Sequence, residues 1–188
     1  MATRLLLAWL DEPSWSIEWL TERLQEAFPT VEVETVGEVR LPPQLFDVTR
    51  GQWLSNMVLG YAAVLAEKLG GDALLLVVRG DAYTPGLNFV FGQAFLGGGV
   101  AVVYTERLRP GFYGEPSNRR LYLERLLKEA LHELGHAWGL EHCSSPRCVM
   151  RFSNSILEVD EKEPRYCMRC AEKLMEAGVE VSSAYIIG

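Results

Sequence analysis

The chain has 188 residues, 48% of them hydrophobic and 23% charged, and its 18 basic against 25 acidic residues leave a net charge of −7. That length suits one unit with a sizeable core, expected to span residues 1–188. The acidic balance argues against a phosphate-binding surface and so against nucleic acid as a partner. No apolar run approaches the ~20 residues of a membrane span.

Residues 4–10 form a short apolar run, expected as a buried strand. The run Leu5 to Leu10 is too short for a signal-peptide core and acidic residues follow at once, so a cytoplasmic location is expected. After Pro13 a helix is predicted from Ser14 or Ser16, with Ile17, Leu20, Leu24 and Phe28 on one face. Residues 30–39 alternate with the two-residue period of a half-exposed strand and end at Pro42 and Pro43. Strand, helix, strand in that order favours a parallel pairing. A second helix is predicted over Gly51 to Leu69, burying Leu54, Met57, Val58, Tyr61, Ala62 and Leu65, and closed by Gly70 and Gly71. Ala73 to Val78 is apolar throughout, as in a strand covered on both faces, and is expected at the sheet's centre. Turn formers fill Asp81 to Asn88, Phe89 to Ala94 reads as an extended edge, and Gly97 to Gly99 reverse the chain into a strand over Val100 to Tyr104. A loop over 109–118 leads into a helix over 119–138 with wide apolar coverage. Residues 152–163 read as an irregular acidic connection, and a last helix is predicted from Pro164 to Ala177, with the tail beyond Val179 undecided.

All three histidines fall in one stretch, His132-Glu133-Leu134-Gly135-His136-Ala137-Trp138-Gly139-Leu140-Glu141-His142. On a helix His132 and His136 lie one turn apart on one face, while Glu133 points about 100° round. A straight helix would carry His142 away from them, so the helix must end in between. Gly139 can take the left-handed conformation that turns the chain and brings His142 back as a third ligand. Three imidazoles with one open position describe a catalytic zinc site, and Glu133 can accept a proton from the attacking water. Hydrolysis is the reaction this supports.

All four cysteines follow, Cys143 and Cys148 as CxxxxC, then Cys167 and Cys170 as CxxC. Two close pairs suit a closed tetrathiolate zinc site that contributes folding energy. Disulfide pairing is the competing reading and needs an oxidising compartment. Cys143 follows His142 directly, so one zinc would anchor the loop that positions a ligand of the other.

The run HExxHxxGxxHCxxxxCxM followed by CxxC resembles the archaemetzincins, a metzincin-like family of zinc metallopeptidases. Phe46-Asp47, Arg50-Gly51-Gln52, Gly86 to Ala94 and Arg107-Leu108 resemble recurrent family sequence as well, so the likeness spans most of the chain. The resemblance implies two Zn²⁺ per chain: a catalytic ion on His132, His136 and His142, with Glu133 as general base and acid, and a structural ion on Cys143, Cys148, Cys167 and Cys170. It places Met150 in the Met-turn beneath the catalytic metal. Sixteen residues separate Met150 from Cys167, one fewer than the family spacing. The implied fold is α/β of the α+β, zincin-like kind. Its mixed, mainly parallel sheet carries an antiparallel edge strand and packs on the active-site helix. Residues 1–139 form the upper part, and 140–188 a lower, zinc-stapled subdomain. The edge strand bordering the cleft would pair with substrate backbone, which assigns Asn88, Phe89, Val90, Phe91, Gly92, Gln93 and Ala94 to substrate binding.

The expected function is therefore a zinc metallopeptidase acting on a peptide or protein substrate, with no membrane partner and as a monomer. Two other classes fit parts of the sequence: an inactive zinc-stabilised protein that captures peptides, and a zinc ribbon for nucleic acid, which the acidic balance disfavours. A donor for the transition-state oxyanion is also needed, and Tyr113, Tyr122 and Tyr166 are the tyrosines conceivable for it.

Overall fold

The structure is a computed structural model and describes residues 2–188. Its elements are β1 (Thr3–Leu10), α1 (Ser14–Ala27), β2 (Val31–Glu38), β3 (Phe46–Asp47), β4 (Gln52–Leu54), α2 (Ser55–Leu69), β5 (Ala73–Val78), β6 (Ala82–Tyr83), β7 (Gly92–Ala94), β8 (Val100–Tyr104), α3 (Arg119–Ala137), α4 (Ile156–Glu161) and α5 (Met168–Glu176). The main sheet has the order β2-β1-β5-β8-β7, parallel except for β7, which runs antiparallel to β8. The expected mixed sheet with one antiparallel edge is thus present, and β5 is its centre.

The apolar runs of β1, β5 and β8 are continuous because both sheet faces are covered. Leu5, Leu7, Leu75, Val77, Ala101 and Val103 face α1 and α3, whereas Leu6, Ala8, Leu74, Leu76, Val78 and Val102 face α2. Residues of the C-terminal segment, among them Cys148, Val149, Met150, Tyr166 and Leu174, join the core on the α3 side. Among the described residues no helix is long and apolar enough to cross a membrane.

Several local expectations change. α2 begins at Ser55, not Gly51, because Gln52–Leu54 pair with β3 and β6 in a second, three-stranded sheet. Its buried stripe is Val58, Leu59, Ala62 and Ala66. Met57 is exposed, while Tyr61 and Leu65 are only partly buried. The extended edge shortens to Gly92–Ala94; Asn88 to Phe91 are not paired as a strand. A short helix, α4, stands inside the connection expected to be irregular, capped by the Ser155 hydroxyl. The last helix starts at Met168, since Cys167 is extended at its N-cap. The tail forms a 3₁₀ turn at Ser183–Tyr185 and a parallel bridge between Tyr166 and Ile186.

One buried carboxylate ties the two ends of this scaffold together. Glu12, whose side chain is fully buried, accepts hydrogen bonds from Arg109 Nη2 at 2.6 Å, Tyr122 OH at 2.7 Å, Ser16 Oγ at 3.1 Å and the Thr105 hydroxyl. It thereby joins the β1–α1 turn to the segment after β8 and to the first turns of α3. Removing one partner of such a cluster leaves buried donors without an acceptor. Glu12→Ala is expected to lower stability by about 3–5 kcal/mol in urea denaturation of the zinc-loaded protein; a loss below about 1 kcal/mol would show that Glu12 does not hold these parts together.

Candidate metal centre and cleft

α3 starts where the Asn118 side chain accepts a hydrogen bond from Leu121 N at 3.0 Å. It ends at Ala137, and the chain turns away at Gly139, which takes φ +103°, a conformation that strains any residue with a side chain. Two segments satisfy the carbonyls of its last turns. Leu140 N donates to Gly135 O at 2.8 Å, and the glycine reversal between β7 and β8 donates from Gly97 N to His136 O and from Gly99 N to Ala137 O, both at 2.9 Å. The reversal expected only as a turn therefore also caps the helix.

His132 and His136 emerge one turn apart, and each ring is oriented by a backbone carbonyl. His132 Nδ1 lies 2.8 Å from Val149 O, and His136 Nδ1 lies 2.6 Å from Leu140 O. A carbonyl only accepts, so each Nδ1 carries the proton and each Nε2 presents a lone pair. Those two lone pairs face one another at 3.1 Å. Two acceptors held that close repel unless a cation lies between them. Zinc–nitrogen bonds of about 2.0–2.1 Å in a tetrahedron put nitrogens about 3.3–3.4 Å apart, so the fit is within a few tenths of an ångström. His142 closes the group: the three rings offer ligand atoms within 4.8 Å of one another. Burial lowers the proton affinity of His132 and His136, which keeps both in the neutral, metal-binding form.

The second cluster gathers Cys143, Cys148, Cys167 and Cys170, none of them in a disulfide. Cys143 Sγ and Cys167 Sγ are 3.8 Å apart, as expected for two corners of a tetrahedron with zinc–sulfur bonds of about 2.3 Å. Hydrogen-bond donors surround the sulfurs, as thiolates require: Ser145 N at 3.4 Å and Arg169 Nη2 at 3.5 Å on Cys143, and Cys167 N at 3.3 Å on Cys148. A hydrogen bond from Cys170 holds the Cys148 thiol down, to about 5, while Cys170 itself is pushed up by sharing that proton. The two clusters are linked through the chain between them. Cys143 N donates to Met150 O at 3.0 Å, and Val149, whose carbonyl orients His132, is itself held by its N–H on Arg165 O at 2.8 Å.

Met150 is fully buried beneath α3 at Gly135. A Cβ at Gly135 would run into Met150 Sδ, so the glycine between the first two histidines is there for close approach. Gly92 does the same for Glu133. A Cβ on Gly92 would stand 2.7 Å from Glu133 Cγ, 2.9 Å from its Oε1 and 2.6 Å from Val102 O. Glu133 is buried; that burial first, then the Glu129 carboxylate, raises its proton affinity well above the usual range.

The histidines and Glu133 open into a cavity of about 650 Å³ whose lining includes every residue from Asn88 to Ala94. The rim segment is fixed from outside: Asn88 O accepts from Gln52 Nε2 at 3.0 Å and Arg50 Nη2 at 3.2 Å, and the Arg107 guanidinium lies over Phe89 while pairing with Asp81 at 2.7 Å. The three tyrosines considered as oxyanion donors are engaged elsewhere and none lines the cavity. Tyr122 bonds Glu12, Tyr166 bonds Leu131 O at 2.6 Å, and Tyr113 bonds Arg107 O at 2.6 Å. The cavity also contains Glu129, Ser153, Asn154 and Lys162, which sequence reasoning missed. Glu129 stands one helical turn before Glu133, so helical spacing could have pointed to it. Lys162 follows α4 and carried no such signal.

Two lone pairs requiring a cation, beside a buried carboxylate in a cleft bordered by the sheet's antiparallel edge strand, define a zinc metallopeptidase. The model of peptidase family M54 matches residues 19–176. The chain is 41% identical over 170 residues to an archaemetzincin of Pyrococcus furiosus, covering 88% of each chain. Its fold is similar to the crystal structure of archaemetzincin from Methanopyrus kandleri, with a TM-score of 0.80 and 38% identity over 94% of this chain and 95% of that one. It is also similar to the archaemetzincin from Archaeoglobus fulgidus complexed with malonate, with a TM-score of 0.77 and 35% identity over 91% and 99%. The chain belongs to peptidase family M54, the archaemetzincins.

The Gly92 contact yields a test inside the scaffold of the cleft. Gly92→Ala is expected to displace the Glu133 carboxylate and lower peptide hydrolysis by about 10²-fold, with bound zinc unchanged. Hydrolysis at the wild-type rate would show that Glu133 does not depend on this close approach.

Proposed function

We propose that the chain hydrolyses peptide bonds at a zinc ion held by His132, His136 and His142, with Glu133 as the proton shuttle. A second, structural zinc on Cys143, Cys148, Cys167 and Cys170 staples residues 140–188 beneath the cleft. The observation that carries this reading is the pair of carbonyl-fixed imidazoles with their lone pairs 3.1 Å apart. When bound, zinc supplies Lewis-acid polarisation of the scissile carbonyl and acidifies the attacking water.

The chain's own groups do the rest. Glu133 takes a proton from the attacking water and returns it to the departing amine. Its raised proton affinity suits a group that must hold a proton between those two transfers. β7 pairs with β8 on one side only, and its other edge borders the cavity, so Gly92 to Ala94 offer backbone groups to an extended peptide while Asn88 to Phe91 form the wall beside it. Met150 packs below the ligands and sets the depth of the metal site without needing to bind the ion.

A mixed peptide library read by mass spectrometry tests the assignment. Zinc-loaded wild type is expected to cleave, and Glu133→Gln to cleave about 10²- to 10⁴-fold more slowly at unchanged zinc content and melting temperature. Undiminished cleavage by Glu133→Gln would remove Glu133 from the mechanism. Binding of library peptides by wild type with no cleavage would instead identify a peptide-capturing protein.

A further inference from the structure

The three imidazoles of the metal site are not held alike. His132 and His136 stand on α3, and each ring is fixed by a hydrogen bond from Nδ1 to a carbonyl, Val149 O and Leu140 O. His142 lies beyond the helix in a segment without regular structure, is exposed, and among the described residues makes no hydrogen bond through its ring. An unheld imidazole loses rotamer freedom each time it meets an ion, at a cost in affinity. Apart from the two other ligand rings, the aromatic group beside His142 is Phe152, with ring centroids 5.2 Å apart and ring planes at 53°. That separation lies within the range of attractive aromatic pairs. Phe152 is 49% exposed and lines the cavity, packed into neither core cluster. The backbone around it is nonetheless fixed. Cys143 N donates to Met150 O and Arg151 N to Cys148 O, both at 3.0 Å, and the buried Lys162 ammonium donates to Arg151 O at 3.4 Å.

We propose that Phe152 is the positioning residue of the third metal ligand: its ring holds the His142 imidazole in place, where the other two histidines use a carbonyl. This role rests on the reading of the three histidines as a zinc site. A hydrogen-bonded carbonyl dictates which ring nitrogen carries the proton, whereas a phenyl ring does not. Phe152 therefore restrains the His142 ring and leaves either nitrogen able to meet the ion. An aromatic pair of this kind is worth about threefold to tenfold in an equilibrium constant. His132 and His136 need no such support, because their carbonyls already aim them.

Zinc affinity tests this without requiring turnover. Zinc is titrated in competition with a chromophoric chelator for wild type, Phe152→Ala, Phe152→Trp, His142→Ala and the double variant His142→Ala/Phe152→Ala, with His136→Ala marking which ion belongs to the histidines. Phe152→Ala is expected to weaken the histidine site about threefold to tenfold and to leave the affinity of the cysteine site unchanged. Phe152→Trp, which keeps an aromatic face at a half-exposed position, should restore most of that loss. In the His142→Ala background the ligand is already gone, so removing Phe152 as well should cost nothing further. Wild-type zinc affinity in Phe152→Ala would overturn the role and leave the zinc-site reading intact. An equal loss with and without His142 would overturn it too, because Phe152 would then act on the site through some other group. Loss of zinc from the cysteines of Phe152→Ala would also overturn it, by showing that the residue serves the loop and not the ligand. A wild type that binds no more zinc than His136→Ala would remove the histidine zinc site itself, and the role of Phe152 with it.

Discussion

The hydrogen bond from His132 Nδ1 to the Val149 carbonyl joins the two halves of the metal chemistry. It fixes the tautomer of the first histidine, and hence the direction of its remaining lone pair. Val149 lies between Cys148 and Met150, in a stretch whose backbone is held by Cys143 and Arg165. Whatever holds the cysteine loop in place therefore also aims the histidine. A zinc ion among the four sulfurs would contribute its binding energy to the geometry of the other site without touching it.

The scaffold around this bond is built from close approaches and buried charges. Gly135 lets Met150 come up under α3, and Gly92 lets Glu133 lie against β7. α3 also buries Arg125, Lys128 and Glu129, polar groups that need partners inside the protein. The acidic connection supplies them. Asp160 grips Arg125 through two hydrogen bonds at 2.7 and 2.8 Å and offers its carbonyl to Lys128, and Lys162 answers Glu129. That segment is charged because it faces a charged side of the helix.

The central strand of the sheet and the helix that bears the motif were legible because their signals are local. Six consecutive buried positions in β5 read as a strand covered on both faces, and the three-histidine spacing with Gly139 leaves few geometries open. The same holds for the cysteines, whose two close pairs come together as their spacing suggests. What escaped depends on distant partners. Gln52 to Leu54 become a strand only because β3 and β6 pair with them, and no periodicity shows in three residues. The rim from Asn88 to Phe91 looks extended, yet its hydrogen bonds are divided among distant partners: Asn88 O accepts from Gln52 and Arg50, Val90 N donates to Ala82 O, and Phe91 O accepts from Tyr104 N. Tyr122 and Tyr166 are consumed by Glu12 and by a helix carbonyl, which no spacing in the sequence announces. Lys162 reaches the cleft through the fold of an acidic connection and not through any motif.

The coupling between the two clusters is tested most directly by zinc stoichiometry and affinity in wild type, His136→Ala and Cys148→Ser, each purified and then titrated with zinc. The expected result is two zincs in wild type and one in His136→Ala, held as tightly as the structural ion of wild type. In Cys148→Ser the loss should extend to both sites, with the histidine site weakened about tenfold or more because Val149 no longer holds His132 in aim. A Cys148→Ser protein whose histidine site binds zinc with wild-type affinity would contradict the account, since the loop would then position His132 without its metal.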